Sequence, residues 1–343
     1  MRRSLSNIAL AIGLALGGAT AQADLNPAAI YTGEVGLSVD GVGSTSAATG
    51  NVSAIVPIGA TVLKAFLYAP TVSGVGFTIA QFNAAGITLA GAAVANFSSI
   101  VGIPGYATGR ADVTSLIQTI AGVGSAAPFT WAVTEGTASA SIDGIVLAIV
   151  YQLAGLPQAS IALLDGGQAQ GGETTTVNFA SPLTDPTAPT FVAQLGLGIS
   201  YSAGPQNNQF SNVDVNGTRL TSSAGGFDDG AFANGALITV GGIGDSAANP
   251  TDPLSGASAD DELYTLTPFL KKGDTSFTLR TNNPSFDDNI FFASLYVTAQ
   301  FKDVNDVPVV PSIPEPETYA LMLAGLGLLG AAAKRRRKSA RAA

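Results

Sequence analysis

The chain contains no cysteine and no histidine among its 343 residues. Without cysteine there can be no disulfide, no thiolate nucleophile and no cysteine-bound metal. Without histidine, Ser-His-Asp and Cys-His catalysis are excluded, and the commonest ligand of transition metals is missing. Aromatic residues make up 7% of the chain, and Trp131 is its only tryptophan. Because Trp131 lies in the apolar strand pattern FTWAV, we predict a core residue rather than a platform for sugar rings.

Charged residues are also scarce, at 11% of the chain, and they are unevenly distributed. Eight of the 15 basic residues lie in the two ends, while all 24 acidic residues lie between Asp24 and Glu317. The body therefore holds 7 basic and 24 acidic residues, a net charge of −17. Such a surface repels nucleic acid, so we expect no nucleic-acid partner. The isolated Arg110, Arg219 and Arg280 are expected to form local ion pairs.

The first 23 residues have the pattern of a secretory signal peptide. Arg2 and Arg3 form a charged start, an apolar stretch follows, and Ala21 and Ala23 complete an A-x-A cleavage site. This pattern predicts export through the Sec translocon and removal of residues 1–23 by signal peptidase. The mature chain would then begin near Asp24.

The C-terminal end has three parts in a fixed order. A proline spacer, Pro314-Glu315-Pro316, is followed by an apolar run over residues 318–333. The run has 16 residues, fewer than the roughly 20 that cross a full bilayer core, so a buried core helix is the alternative. A basic cluster follows at once and favours a membrane stop with its basic end in the cytoplasm. The cluster consists of Lys334, Arg335, Arg336, Arg337 and Lys338.

This tripartite end, residues 312–338, resembles a PEP-CTERM sorting signal. The resemblance implies that an exosortase cuts near Pro314-Glu315-Pro316 after the segment 318–333 has held the protein in the inner membrane. It also implies a producer that secretes exopolysaccharide, with the processed protein at the cell surface or in the extracellular matrix.

The body between the two ends has about 290 residues, in which short β-branched runs alternate with glycine-rich turns. We predict an all-β fold of two related antiparallel β-sandwich domains, of jelly-roll or immunoglobulin-like type, with a signal helix and a transmembrane helix at the two ends. The predicted domains are residues 24–180 and 191–301. Pro- and Thr-rich residues 181–190 form the predicted linker between them, and residues 302–311 form a second linker.

Several elements can be placed within the body. Residues 111–120 have helical spacing, Asn216-Gly217 predicts a tight hairpin turn, and residues 144–150 predict a strand covered on both faces. Strands are predicted over residues 30–39, 50–56, 61–68, 74–82, 87–89, 128–134, 145–151 and 160–164.

A weak internal repeat runs through the body. Ile145, Ala148 and Tyr151 recur as Ile290, Ala293 and Tyr296, all at an offset of 145 residues. Upstream, residues 82–89 resemble residues 213–220 at an offset of 131. Two diverged copies of one domain would produce this pattern, and so would a chance similarity between glycine-rich β segments.

Acidic side chains cluster in the second half of the body. Loops at one end of a sandwich could gather such oxygen ligands around calcium, but no known calcium-loop spacing is present. The alternative is that they cap turns. These residues are Asp228, Asp229, Asp260, Asp261, Asp287, Asp288 and Asn289.

These features favour a non-enzymatic structural or adhesive protein of the cell surface or biofilm matrix. The alternative is an extracellular carbohydrate-binding module, which an aromatic-lined groove would favour. A glycosidase would need two convergent carboxylates, and the sequence offers no basis for choosing a pair.

Overall fold

The computed structural model describes residues 25–43, 49–72, 74, 76–100, 106–136, 141–168, 171–202, 211–222, 224, 237–247, 262–285 and 289–311. The signal peptide predicted at 1–23 and the sorting segment predicted at 312–338, with its membrane span 318–333, lie outside these residues. Within them, no helix has the length and apolar character needed to span a bilayer.

The described chain is mostly β and forms four sheets. The first outer sheet has the order β3 (Thr49–Ala54), β9 (Phe129–Thr134), β5 (Thr88–Leu89) and β6 (Ala92–Ala93). The first inner sheet has the order β2 (Val35–Val42), β10 (Ile145–Gln152), β4 (Thr61–Pro70), β8 (Thr108–Asp112) and β7 (Ser98–Ile100).

The other two sheets are larger. The second inner sheet has the order β16 (Leu237–Val240), β13 (Ala193–Ser202), β19 (Asn289–Val297), β11 (Ala159–Asp165), β1 (Asn26–Gly33) and β22 (Val310–Pro311), and β17 (Leu263–Thr265) also pairs with β13. The second outer sheet has the order β15 (Thr218–Thr221), β14 (Asn212–Val215), β18 (Ser276–Asn282), β12 (Glu173–Phe179), β20 (Phe301–Val304) and β21 (Val307–Pro308). Every pairing between these strands is antiparallel except that of β1 with β22.

The four sheets stack as layers, with one hydrophobic core between each adjacent pair. Trp131 is a core residue, as predicted, and it belongs to the first core, which lies between the first outer and first inner sheets. Val146 belongs to the middle core, which joins the two inner sheets. Phe277 belongs to the core between the second inner and second outer sheets.

Strand β10 shows why the inner sheets need cover on both faces. Its side chains alternate between two cores, as the period of two in a strand requires. Ile145, Leu147 and Ile149 enter the first core, and Val146, Ala148 and Val150 enter the middle core. The prediction that residues 144–150 are covered on both faces is confirmed.

The two halves of the chain share one strand order. In the first half, β2, β10, β4 and β8 neighbour one another in the inner sheet; in the second half β11, β19, β13 and β17 do the same. The outer sheets match as well, with β3-β9-β5-β6 in the first and β15-β14-β18-β12 read from the opposite end in the second. This agreement favours the predicted duplication, and we name residues 35–152 the first repeat and residues 159–297 the second repeat.

The predicted domain boundaries do not follow this strand order. Strands β11 and β12 precede the predicted linker 181–190, yet they pair with β19 and β18 of the second repeat. Strand pairing thus crosses residues 181–190, and the change from one repeat to the next falls at residues 153–158. The division into domains 24–180 and 191–301 stays a prediction that this pairing does not support.

The positions of two hairpin turns show which residues of the two repeats are equivalent, and they correct the alignment made from the sequence. Asn216 and Gly217 have φ of 50° and 74°, which confirms the predicted tight turn between β14 and β15. Ala90 and Gly91 have φ of 51° and 77° between β5 and β6. The equivalent turns are therefore 126 residues apart. The offset of 131 that the sequence comparison gave for residues 82–89 differs from this value by five positions.

Two local predictions fail for identifiable reasons. Residues 74–82 were expected to form a strand, but helix α1 spans Ile79–Ala84. A capping box starts it, because Thr78 Oγ1 accepts a hydrogen bond from Gln81 N–H while Gln81 Oε1 accepts one from Thr78 N–H. Residues 302–311, expected to be a linker, instead contribute to β20, β21 and β22, helped by a turn in which Asn305 and Asp306 have positive φ.

The helix predicted over residues 111–120 is confirmed as α2, Thr114–Ala121. Asp112 Oδ1 accepts hydrogen bonds from the backbone N–H and the hydroxyl of Thr114 at its start. Ile117 and Ala121 are buried on the first core. A 3₁₀ turn, Thr267–Phe269, occupies the corresponding place in the second repeat.

A polar contact crosses the middle layer. Arg110 Nη1 lies 2.6 Å from Asp165 Oδ2, and the fully buried Tyr68 donates its hydroxyl proton to the same oxygen at 3.1 Å. Burial raises the pKa of Asp165, although the neighbouring Arg110 opposes that shift. Arg219 pairs with Asp214 at 2.6 Å, so the ion pairs expected for Arg110 and Arg219 are confirmed. Arg280 Nη2 donates to the carbonyl oxygen of Gly171 at 3.4 Å.

Replacing Gly43 by alanine should destabilise the protein through the contact between repeats. A Cβ at Gly43 would lie 1.9 Å from Ile238 Cγ2 and 2.6 Å from the carbonyl oxygen of Asp143. We expect Gly43→Ala to lower the free energy of unfolding by about 1–3 kcal/mol, measured by urea denaturation. Gly76→Ala is the matched control, because nothing lies within 4 Å of its added Cβ. Equal stability of the two variants would contradict close packing at Gly43.

Replacing Glu135 by glutamine should change how stability depends on pH. Glu135 is 4% exposed, and its Oε2 makes no hydrogen bond within the described part of the chain. Burial raises its pKa from 4.5 to about 8. Between these values the folded state holds a proton that the unfolded state has released, so stability falls as pH rises through this range.

A glutamine side chain at this position carries no titrating proton and removes this loss. We therefore compare the free energy of unfolding of Glu135→Gln with that of the original protein. The advantage of the variant should be larger at pH 8 than at pH 5, by on the order of 3 kcal/mol. The measurement is urea denaturation at both pH values, with the exposed Asp306→Asn as a control for the loss of a surface carboxyl. Parallel profiles for the original protein and Glu135→Gln would refute a protonated, buried Glu135.

Candidate functional site

A cavity of about 300 Å³ opens between the two repeats. Its walls come from β2, at the edge of the first inner sheet, and from the facing side of β13 and β19 in the second inner sheet. The described residues that line it are Val35, Gly36, Leu37, Val39, Ile55, Tyr151, Leu156, Gln194, Gly196, Gly241, Gly242, Ile243, Leu263, Ser294 and Tyr296.

Two tyrosines at equivalent positions of the repeats contribute to this cavity. Tyr151 lies near the end of β10 and Tyr296 near the end of β19, and these two strands hold equivalent positions in the strand order that the repeats share. The sequence had related these residues through their offset of 145 positions. The inner sheets pack face to face, and this packing brings both side chains to one cavity.

A β-bulge sets which side chains of β19 face the cavity. Gly198 pairs with Phe292 and Ile199 pairs with Ile290, so Phe291 is an extra residue in the ladder. As a result Phe291 and Phe292 both enter the middle core. Ser294 and Tyr296 follow Phe292 at intervals of two and therefore share its face.

Both phenols remain protonated well above neutral pH. Burial raises the pKa of Tyr151, and the nearby Tyr296 adds to the shift. Burial also raises the pKa of Tyr296. Each hydroxyl can therefore donate a hydrogen bond to a ligand while carrying no charge.

Two glycines allow close contacts within the walls of the cavity. A Cβ at Gly36 would lie 2.4 Å from Tyr151 Cζ, so only glycine allows this ring position. A Cβ at Gly241 would lie 1.9 Å from the carbonyl oxygen of Glu262. The shape of the cavity thus depends on residues with no side chain at these two points.

The chemistry of the lining is apolar and uncharged. None of its described residues is acidic or basic. Polar side chains are limited to the two phenols, the Gln194 amide and the Ser294 hydroxyl, while valine, leucine and isoleucine supply most of the rest. Such a lining can bind a neutral molecule, and it offers no general acid or base with a pKa near neutrality.

The residues predicted to bind calcium are almost all outside the described residues. Asp228, Asp229, Asp260, Asp261, Asp287 and Asp288 belong to this group, so their arrangement stays a prediction. Asn289 begins β19, is 1% exposed, and donates from Nδ2 to Ser200 Oγ at 3.2 Å. Among the described residues, no three acidic side chains are close enough together to hold a metal ion.

Sequence reasoning did not identify the cavity as a site. Its lining comes from strands far apart in the chain, and most of it is aliphatic, which in sequence is typical of ordinary core. The recurrence of Tyr151 as Tyr296 was the one available signal, because it marked two equivalent positions that face the same layer.

The sorting residues predicted at the two ends lie outside the described residues. These are Ala21 and Ala23, Pro314 to Pro316, and Lys334 to Lys338.

Comparison with known proteins bears on the C-terminal end. Residues 312–338 match the PEP-CTERM protein-sorting motif. No curated protein and no solved structure matches the chain. The match covers the proline spacer, the apolar run and the basic cluster in the predicted order. The chain thus carries a PEP-CTERM sorting motif behind a β-rich body, and this motif implies an exported protein that is processed by exosortase.

Proposed function

We propose that this protein is a non-enzymatic structural or adhesive component of the cell surface or biofilm matrix. It is exported by the Sec route and held in the inner membrane by residues 318–333. An exosortase then cuts near Pro314-Glu315-Pro316 and releases the body toward the surface, where exopolysaccharide is its proposed neighbour. The observation that carries this proposal is the sorting motif at residues 312–338.

The position of the last strands supports release of a folded body. Strand β22 ends at Pro311 and pairs with β1. Only two residues separate Pro311 from Pro314, a distance of at most about 10 Å along the chain. A cut near the motif would therefore leave a body whose strands are intact to within a few residues of its new end.

The composition of the body supports a role without catalysis. Histidine and cysteine are absent from the whole chain, which removes the commonest general base and the strongest nucleophile. The net charge of −17 on the body keeps copies apart in solution and attracts cations. Four stacked layers of sheet suit a load-bearing or adhesive part.

The carbohydrate-binding alternative has one specific observation in its favour. The cavity between the repeats contains two tyrosines, as a groove that contacts sugar rings would require. Its other lining residues are mostly aliphatic, however, which suits sugar hydroxyls poorly. This alternative therefore ranks second.

The processing proposal predicts the mass of the mature protein. Protein recovered from the surface and medium of producing cells should begin near Asp24 and end between Pro314 and Thr318, as read by intact mass spectrometry. A variant with Pro314, Glu315 and Pro316 all changed to alanine should keep residues 334–343 and remain in the inner membrane. Original protein found only in the inner membrane, with residues 334–343 still attached, would exclude the sorting route.

Calcium binding is proposed as a stabilising feature of the same protein. If the acidic residues converge, calcium at 100 times its dissociation constant should add about 2.7 kcal/mol to the free energy of unfolding. The melting temperature should then rise with calcium and fall with chelator, and the double variant Asp287→Asn, Asp288→Asn should respond less. A melting temperature that chelator leaves unchanged would reject the calcium site.

A further inference from the structure

We propose that the cavity between the repeats binds one uncharged amphiphile, with its apolar body among the aliphatic side chains and a hydroxyl-bearing end beside Tyr151 and Tyr296. The structural or adhesive role proposed above requires no ligand, so this site is an additional function. It differs from the carbohydrate alternative because the main contact is with an apolar group rather than a sugar.

The absence of charge in the described lining selects a neutral ligand. The body as a whole carries −17, yet none of the described lining residues is charged. An anionic ligand would enter an acidic protein and lose its hydration without meeting a cation at the described walls. A cationic ligand would likewise meet no carboxylate there.

The aliphatic part of the lining selects an apolar body. Val35, Leu37 and Val39 lie at alternate positions along the β2 edge, Leu156 lies in the segment that joins the repeats, and Leu263 belongs to the second repeat. A free monosaccharide bears hydroxyls on most of its surface and would leave several unpaired against these walls. An alkyl chain removes the same surface from water with no such loss.

The polar side chains select a hydrogen-bonding end. Tyr151, Tyr296, Gln194 and Ser294 are the polar side chains among the described lining residues. The raised pKa of each phenol keeps it a donor. Gln194 lies opposite Tyr296 in the pairing of β13 with β19, and its amide can both donate and accept a hydrogen bond.

The site needs both repeats. Tyr151 belongs to the first repeat and Tyr296 to the second, and the walls come from strands of both. A single repeat would therefore present only half of the lining, and the experiment must use the whole body.

The test is isothermal titration calorimetry of the body with three probes. n-Octyl β-D-glucoside, used below its micelle concentration, has a neutral polar end and an apolar chain. Methyl β-D-glucoside keeps the sugar and lacks the chain, and octanoate keeps the chain but carries a charge. We expect saturable one-to-one binding of octyl glucoside, with both other probes at least about tenfold weaker.

Two exposed isoleucines provide a matched pair of variants. Ile55 is 37% exposed and lines the cavity, whereas Ile58 is 63% exposed and is not among its lining residues. Ile55→Trp should fill the opening and weaken octyl glucoside binding at least about tenfold, and Ile58→Trp should leave it unchanged. Thermal melting of each variant checks that it is folded.

The variants Tyr151→Phe and Tyr296→Phe keep the ring and remove the hydroxyl. Loss of one hydrogen bond should weaken binding of octyl glucoside about threefold to tenfold. If Ile55→Trp does not fold, these two variants test the proposal in its place. Equal binding of methyl and octyl glucoside would replace the proposal with a sugar site. Equal binding of octanoate and octyl glucoside, equal loss in both tryptophan variants, or no binding at all would overturn it. The mass measurement on processed protein is independent of every one of these outcomes.

Discussion

Burial of both faces of β10 and of β19 is the constraint on which the architecture depends. Strands β10 and β19 are apolar along nearly their whole length. A single two-layer sandwich covers only one face of each sheet, so each repeat alone would expose the other face of β10 or of β19 to water. Packing the two inner sheets against each other buries both of these faces at once. The middle core therefore buries apolar surface that neither repeat covers by itself.

The same constraint explains the use of glycine in the middle layer. The chain has 41 glycines, and several of them lie where the repeats meet. A Cβ at Gly242 would lie 2.1 Å from the carbonyl oxygen of Val39, a backbone atom that cannot turn aside. Ile243 N–H donates to that same carbonyl at 2.9 Å. These backbone contacts thus join β2 to the second repeat beside the cavity. They also fix the distance between the two walls at that point.

Sequence patterns predicted those elements whose cause is local. The run of residues 144–150, the helical spacing near residue 117 and the Asn216-Gly217 turn each depend on neighbouring residues, and the structure confirms all three. The strand predicted at residues 74–82 failed because the capping pair of Thr78 and Gln81 was not recognised. The linker predicted at residues 302–311 failed because its valines find strand partners that are distant in sequence.

The candidate site shows the same limit more strongly. The recurrence of Tyr151 and Tyr296 was visible in the sequence, but the fact that they share a cavity follows from the stacking of inner sheets. Periodicity shows that a strand is covered on two faces and does not show which element provides the cover. The domain join predicted at residues 181–190 meets the same limit, and it stays a prediction. Prolines and threonines at residues 181–190 indicate a loop, whereas strand partners decide which repeat a strand belongs to.

The pairing of β1 with β22 relates this fold to the processing proposed for its two ends. The two strands are parallel, and Tyr31 and Thr32 lie beside Val310 and Pro311. The chain therefore enters β1 at one end of the strand and leaves β22 near the other, about 20 Å away for a strand of this length. The described members of all three hydrophobic cores lie between Leu25 and Val309. Removal of residues 1–23 and of the chain beyond Pro316 would thus take no described residue from any of the three cores.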